Sequence, residues 1–398
     1  MLTVEEARER LLAQAVVIEG LETLPTLQAQ GRVLAAPLVS TVAVPPMDVS
    51  QMDGYALRAA DAISAGAILP VSQRVAAGQV GVPLESASAA RIFTGAPLPA
   101  GADAVVMQEA TRAAGEAAIE IAEPPRAGQW IRRTGADIAI GQTLLDAGAR
   151  LHAPQLGLAA SVGCATLTVR RRLQVALFST GDELVMPGEP LPPGRIYNSN
   201  RTMLAALLQA LGCEVVDLGI VSDRLEATRA AFVEASSRCD LILTSGGVSV
   251  GEEDHVRPAV QAEGALDLWQ VAMKPGKPLA FGHVRAVPFI GLPGNPVSSF
   301  VTFLLFARPF ILRRQGAQWR EPSQLPLTAA FDLPRADKRR EFLRARSNAE
   351  GQLELFGNQM SSALVSVAWA DGLIDNPAGQ AIARGDSVRY LPLSALLG

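Results

Sequence analysis

Leu173-Gln174-Val175-Ala176-Leu177-Phe178-Ser179-Thr180-Gly181-Asp182-Glu183 decides the fold class. A short, mostly apolar run breaks off into hydroxyls, a glycine and carboxylates, which is the texture of a buried strand ending in a polar loop. Working outward from it, the periodicity alternates. Arg201–Leu211 puts Met203, Leu204, Leu207, Leu208 and Leu211 on one helical face. Val215–Val221 predicts a strand, Leu225–Ala235 a helix and Leu241–Thr244 a strand. Leu268–Met273, Leu279–His283 and Pro288–Leu292 add strands. Asn295-Pro296 then sets Asn at the N-cap and Pro in the first turn of a helix running to about Leu312. Strands and helices alternating across short loops predict a doubly wound parallel α/β sheet covered on both faces.

The flanks read differently. Thr3-Val4-Glu5-Glu6 has capping-box form, and Val4, Ala7, Leu11 and Leu12 follow at helical spacing, predicting a helix near 4–15. From Pro25 to about Arg170, short β-like runs (69–71, 91–94, 104–107, 118–121) alternate with Gly/Pro turns, with one helix expected near 154–161. After Arg320 the β texture returns in 325–331, 341–347, 353–356 and 387–393, suiting a small barrel or sandwich. The 398 residues are 49% hydrophobic and 19% charged, which excludes a disordered or fibrous chain. A net charge of −4 with 5% aromatics argues against nucleic-acid binding. Three scattered cysteines suit a reducing compartment, and the polar, acidic start is unlike a secretory leader. The most apolar stretch, 300–312, is interrupted by Arg308 and Pro309 and is short of the ~20 residues of a membrane span. A cytoplasmic protein is expected.

In a doubly wound domain ligands bind beyond the carboxyl ends of the strands. Four loops there are polar: 179–183, 244–254, Lys274-Pro275-Gly276-Lys277-Pro278, and Leu292-Pro293-Gly294-Asn295-Pro296-Val297-Ser298-Ser299. The Ser245-Gly246-Gly247 turn can bring backbone N–H groups to phosphate oxygens, with hydroxyls from Ser245 and Ser249 beside them, or can simply turn tightly before a helix. Lys274 and Lys277, two of only three lysines with Lys338, can frame an oxyanion or a solvated turn. Asp182, Glu183 and Asp254 are hard oxygen donors suited to Mg²⁺, or helix caps. Gly247-Val248-Ser249-Val250-Gly251 also has the spacing of a serine-hydrolase elbow, but acidic residues follow where an apolar helix should, and only His152, His255 and His283 could act as base.

Taken together, these loops resemble the molybdopterin molybdenumtransferases, the MoeA family, which includes the gephyrin E domain. The resemblance lies in Met52-Asp53-Gly54-Tyr55-Ala56, 92–99, 101–106, Arg133-Thr134-Gly135-Ala136-Asp137-Ile138, 179–184, Tyr197-Asn198-Ser199-Asn200, the Ser-Gly-Gly loop through Asp254, 274–278 and 292–296. Residues 339–346 and 357–362 match the family's C-terminal part more weakly. Gln270 stands where many relatives carry a basic residue after the tryptophan.

The resemblance implies a homodimer of four modules per chain. These are a discontinuous N-terminal module (1–44 and 139–170), an inserted β domain (45–138), the α/β molybdopterin-binding domain (171–318) and a C-terminal β-barrel (319–398). It implies Mg²⁺-dependent insertion of molybdate into adenylylated molybdopterin with release of AMP, in a cleft completed across the dimer. The molybdopterin adenylyltransferase is then an expected partner, and no nucleic acid or membrane is. Carried over by position, the catalytic set is Asp53, Thr94, Asp137, Glu183, Asp223 and Asp254, with Glu183 and Asp254 on the metal. The substrate set is Thr180, Asp182, Ser245, Gly246, Gly247, Ser249, Lys274, Lys277, Pro293, Asn295, Pro296, Ser298, Arg344 and Ser361. A non-catalytic scaffold of the gephyrin E-domain type is the other role such a chain can have.

Overall fold

The computed structural model describes residues 1–248 and 255–397. The run beginning at Leu173 forms strand Gln174–Thr180 (β1), inside a six-stranded sheet with Glu214–Val221 (β2), Leu241–Ser245 (β3), Gly264–Gln270 (β4), Pro278–Val284 (β5) and Val287–Leu292 (β6). Their spatial order is β2-β1-β3-β6-β5-β4. The first four are parallel, while β5 runs antiparallel to both β6 and β4. The expected all-parallel sheet is therefore corrected to a mixed one. The reason is loop length: Val284 pairs with Val287, leaving two residues between strands, and a parallel crossover needs a dozen or more. Arg285 takes the strained left-handed conformation that this turn requires (φ 54°), although the turn lacks the usual Asn or Gly.

Successive residues of β1 face opposite sides, and from Val175 to Thr180 all are buried, as a doubly covered sheet requires. Val175 and Leu177 join one core with the helices Val4–Ala13, Ser199–Ala210 and Pro296–Arg314. Ala176 and Phe178 join the other with Leu225–Arg238 and Val256–Glu263. In that second core Phe232 meets Phe178 and Phe289 edge-on at 5.2 and 5.1 Å, each fully buried ring stabilising by about 1.5–3 kcal/mol. Helix Pro296–Arg314 is long and apolar enough to cross a membrane by composition, but 89% of its most apolar 18 residues are buried within the protein. Its middle turn, Phe303–Ala307, widens to π geometry ahead of Pro309, which has no N–H to offer the Leu305 carbonyl.

The expected strand 268–273 is instead split. β4 ends at Gln270, and Met273–Lys274 leaves the central sheet to pair with Arg340–Glu341 of the C-terminal one. That C-terminal sheet runs Met273–Lys274, Arg340–Ser347, Gly372–Asn376, Ser387–Pro392, Leu325–Thr328, with Leu353–Leu355 added to Arg340–Ser347. It curls, but ladders do not close it into the expected barrel. Only an isolated bridge, Ala329 to Leu353, spans the gap.

Near the N-terminus the predicted capping box is present: Glu6 N–H donates to Thr3 Oγ1 at 3.1 Å and Thr3 N–H to Glu6 Oε2 at 2.8 Å. Leu21–Pro25 pairs with Thr166–Arg170, and Leu38–Val39 with Thr143–Leu145, so segments far apart in sequence are stitched together. Between them lies a third six-stranded sheet, in order Ala104–Met107, Gly54–Leu57, Ala89–Ile92, Ala67–Val75, Ala118–Ile121, Thr111–Ala113.

Candidate active site

The carboxyl ends of β1, β3 and β6 open onto a cleft of ≈ 760 Å³. It gathers Thr180, Glu183, Asp223, Ser245, Gly246, Gly247, Pro293, Asn295, Pro296 and Ser298 from the expected set. The glycine pair is sterically required. A Cβ on Gly246 would lie 2.8 Å from the Thr180 carbonyl oxygen, and one on Gly247 2.4 Å from Val256 Cγ2, with both residues at positive φ. Gly246 N–H, expected as a phosphate donor, is instead committed to the Leu292 carbonyl at 3.1 Å. Ser249 and Asp254 lie outside the described residues.

Acidic groups line the same cleft. Asp182 N–H donates to Asp223 Oδ2 at 3.1 Å and Asp223 N–H to Asp182 Oδ1 at 3.2 Å, locking two loops together. Burial pushes the Asp223 carboxyl above its ordinary value. The Asp182 N–H opposes this, and the charges of Asp182 and Glu183 add to it. The charge of His255 opposes these, as the last of the contributions. Among the described residues no group of three or more His, Cys, Asp or Glu forms a metal cluster. Mg²⁺, however, uses one or two carboxylates and takes its other ligands from water and phosphate, so Glu183 and Asp223 fit its needs.

Two residues outside the expected set matter here. Asn198 caps helix Ser199–Ala210 by accepting Arg201 N–H at 3.1 Å. Asn200 Nδ2 donates at 2.7 Å to both Ser245 Oγ and the Gly294 carbonyl, holding the β3 and β6 loops together. Asn198 Nδ2 and Asn200 Oδ1 have no partner among the described residues, and an unmet buried polar group costs about 1–3 kcal/mol. The Asn-Ser-Asn run at the start of a helix was the available signal, legible as a cap but not as a loop tether.

The rest of the expected set lies elsewhere. Lys274 Nζ pairs with Glu341 at 3.0 Å and Asp337 at 3.2 Å, and these partners hold it protonated. Lys277 lines a separate recess of ≈ 500 Å³ with Asp337, Lys338 and Arg339. Arg344 is 1% exposed, donating to Ser366 Oγ and the Phe342 carbonyl at 3.1 Å, and burial lowers its pKa to about 10. Ser361 meets the cleft helix through its carbonyl, which accepts Val297 N–H at 3.0 Å, and its neighbour Ser362 lines the cleft.

Asp53, Thr94 and Asp137 belong to the inserted β region and none lines the cleft. Asp53 Oδ1 accepts both Thr94 N–H and Thr94 Oγ1 at 2.8 Å, and these bonds hold its carboxyl below the ordinary value. Asp137 pairs with Arg132. Of the histidines, His152 sits at the N-cap of helix Ala153–Ser161 and His283 Nδ1 contacts the Arg285 carbonyl at 2.8 Å.

Three family models match in order. They are the MoeA N-terminal region (domain I and II) over residues 2–163, a probable molybdopterin binding domain over 176–313, and the MoeA C-terminal region (domain IV) over 326–393. The molybdopterin molybdenumtransferase of Haemophilus influenzae is 38% identical over 100% of both chains. The Drosophila melanogaster molybdenum cofactor synthesis protein cinnamon is 35% identical over 85% of this chain and 57% of its own. A crystal structure of the MoeA protein of Pyrococcus horikoshii superposes with TM-score 0.85 at 28% identity, covering 98% of this chain and 100% of that one.

Proposed function

Since the chain belongs to the MoeA family, whose transferase chemistry serves molybdenum-cofactor biosynthesis, we propose that it inserts molybdate into adenylylated molybdopterin and releases AMP. The observation that carries this reading is the cleft itself. A glycine pair that tolerates no side chain faces an acidic corner, as a phosphate-rich ligand with a divalent cation would require.

In this reading Ser245, Ser298 and Thr180 supply hydroxyls to the phosphates, and Pro293, Asn295 and Pro296 shape the cleft wall. The start of helix Pro296–Arg314 adds its positive dipole end. Glu183 and Asp254 are the expected holders of Mg²⁺, and Asp223, fixed by Asp182, is a further carboxylate beside Glu183 that could share it. When bound, Mg²⁺ neutralises charge on the pyrophosphate as AMP leaves. Lys274, Lys277 and Arg344 serve molybdate from the C-terminal side, which requires Lys274 to exchange its carboxylate partners for the oxyanion.

Asp53 and Thr94 act from the partner of a homodimer, and Asp137 supports the same domain. The four modules divide at 1–44 with 139–170, 45–138, 171–318 and 319–398, and the protein works in the cytoplasm beside the molybdopterin adenylyltransferase. The test is direct. Purified protein given adenylylated molybdopterin, molybdate and Mg²⁺ should release AMP stoichiometrically, as followed by chromatography. AMP release that is indifferent to molybdate and to EDTA would overturn the proposal.

A further inference from the structure

The cleft has a second character, set by a short ribbon on its rim. Leu184–Val185 and Ile196–Tyr197 pair in parallel, fixed by Ile196 N–H to the Glu183 carbonyl (2.8 Å) and Asn198 N–H to the Val185 carbonyl (2.9 Å). Leu184, Ile196 and Tyr197 all line the cleft, and Tyr197 is the one aromatic residue among its lining. Ile196 remains 57% exposed and Tyr197 44%.

This exposure is unusual within the chain. Of its three tyrosines, Tyr55 lies under the Arg91 guanidinium and Tyr390 is buried with its hydroxyl on Asp371. Tyr197 alone is open, and among the described residues no ring or guanidinium stacks on it. Its hydroxyl is nevertheless anchored, donating to the Glu189 carbonyl at 3.0 Å. A ring held at both its backbone and its hydroxyl has lost its rotamer freedom before any ligand arrives, which lowers the cost of stacking on it.

We propose that Tyr197, flanked by Ile196 and Leu184, is the stacking platform for a planar heteroaromatic ring of the substrate, while the glycine pair and the acidic corner hold its phosphates. This rests on the function proposed above, whose substrate carries two such rings, an adenine and a pterin. An apolar, ring-shaped surface at the rim and a polar, side-chain-free turn at the strand ends divide one ligand between two chemistries. Tyr197 then selects for the ring and the turn for the charge.

The test uses calorimetric titration of wild type, Tyr197→Ala and Tyr197→Phe with AMP, a pterin monophosphate and inorganic pyrophosphate, all with Mg²⁺. Aromatic stacking measured by truncation predicts that Tyr197→Ala weakens one or both ring-bearing ligands by about five- to a hundredfold. Pyrophosphate, which has no ring, should stay within about twofold, and Tyr197→Phe, which keeps the face but loses the anchor to the Glu189 carbonyl, should fall between wild type and Tyr197→Ala. A loss confined to AMP assigns the platform to adenine, and a loss confined to the pterin phosphate assigns it to the pterin. Unchanged binding of both ring ligands to Tyr197→Ala, or an equal loss for pyrophosphate, overturns the platform while leaving the proposed reaction standing. Failure of the wild type to bind either ring ligand overturns both.

Discussion

Asp53 and Asp223 are the same residue prepared in opposite ways. On the inserted β region, two donors from Thr94 fix Asp53 as an anion. On the α/β domain, burial and the neighbouring charges of Asp182 and Glu183 make the anion at Asp223 costly. One carboxylate is stabilised as an anion by its hydrogen bonds; in the other, burial outweighs the single N–H it accepts. Under the proposed function that difference would separate an acid kept for orientation from an acid kept for a cation, and it can be tested from several sides.

The largest expected effect lies at the unsatisfied corner. Glu183→Gln or Asp223→Asn should lower AMP release by at least about a hundredfold, and EDTA should do the same to wild type, with circular dichroism unchanged. If either variant releases AMP at the wild-type rate, the acidic corner is structural.

Next comes the geometry between the two acids. Mixing Asp53→Asn chains with Glu183→Gln chains should restore about a quarter of wild-type activity per chain if sites are completed across a dimer. In a random mixture half the dimers are mixed and each has one intact site. No recovery in verified mixed dimers would place Asp53 outside the partner's cleft.

A cation offers the converse experiment. Lys274→Ala removes a partner from Glu341, which is almost wholly buried, and should cost about 1–3 kcal/mol of stability. It should also weaken molybdate about ten- to a hundredfold if the lysine exchanges partners. Destabilisation with unaltered molybdate affinity would make Lys274 a purely structural counterion.

The smallest effect concerns pH. Asp223 has a raised carboxyl pKa, so the folded state is penalised as pH rises through the window from 3.8 to that higher value. Asp223→Asn should therefore raise Tm slightly at pH 7, with the gain fading as pH falls below about 4. Asp53 has a lowered pKa, so its stabilisation is present above 3.8 and lost as pH drops through the folded value. Asp53→Asn should lower Tm at pH 7 and converge with wild type in acid. Shifts of the same sign would end the contrast between the two acids.

Much of this was legible from local pattern. The strand Gln174–Thr180, the helix after Asn295 and the Thr3–Glu6 cap follow from periodicity and turn chemistry, and residues of 180–183, 245–248 and 293–298 share one cleft, while the lysines of the 274–278 turn lie elsewhere. The mixed sheet was also readable, since four residues between 283 and 288 leave no room for a crossover. Strand Gly372–Asn376 was hidden by its own polarity. Asp375 and Asn376 are buried, and Asp375 is neutralised by Arg340 and Arg389, a pairing that no local window reveals. For the same reason the lysine turn read as open charge, because Asp337 and Glu341, which engage Lys274, come more than sixty residues later.

The first helix carries a consequence for synthesis. Val4, Ala7 and Leu11 pack into a core with Phe303, Phe306 and Phe310, Leu2 bridges Val271, and Glu5 pairs with Arg340. At about 5–20 residues per second, a nascent chain needs roughly 15–65 seconds after making this helix to deliver its last partner. Through that interval its apolar stripe has nothing native to cover it, and closing so distant a contact comes late in folding. This helix is made long before its partners and is the last to find its place, so the protein's yield in a cell should depend on what shelters it meanwhile.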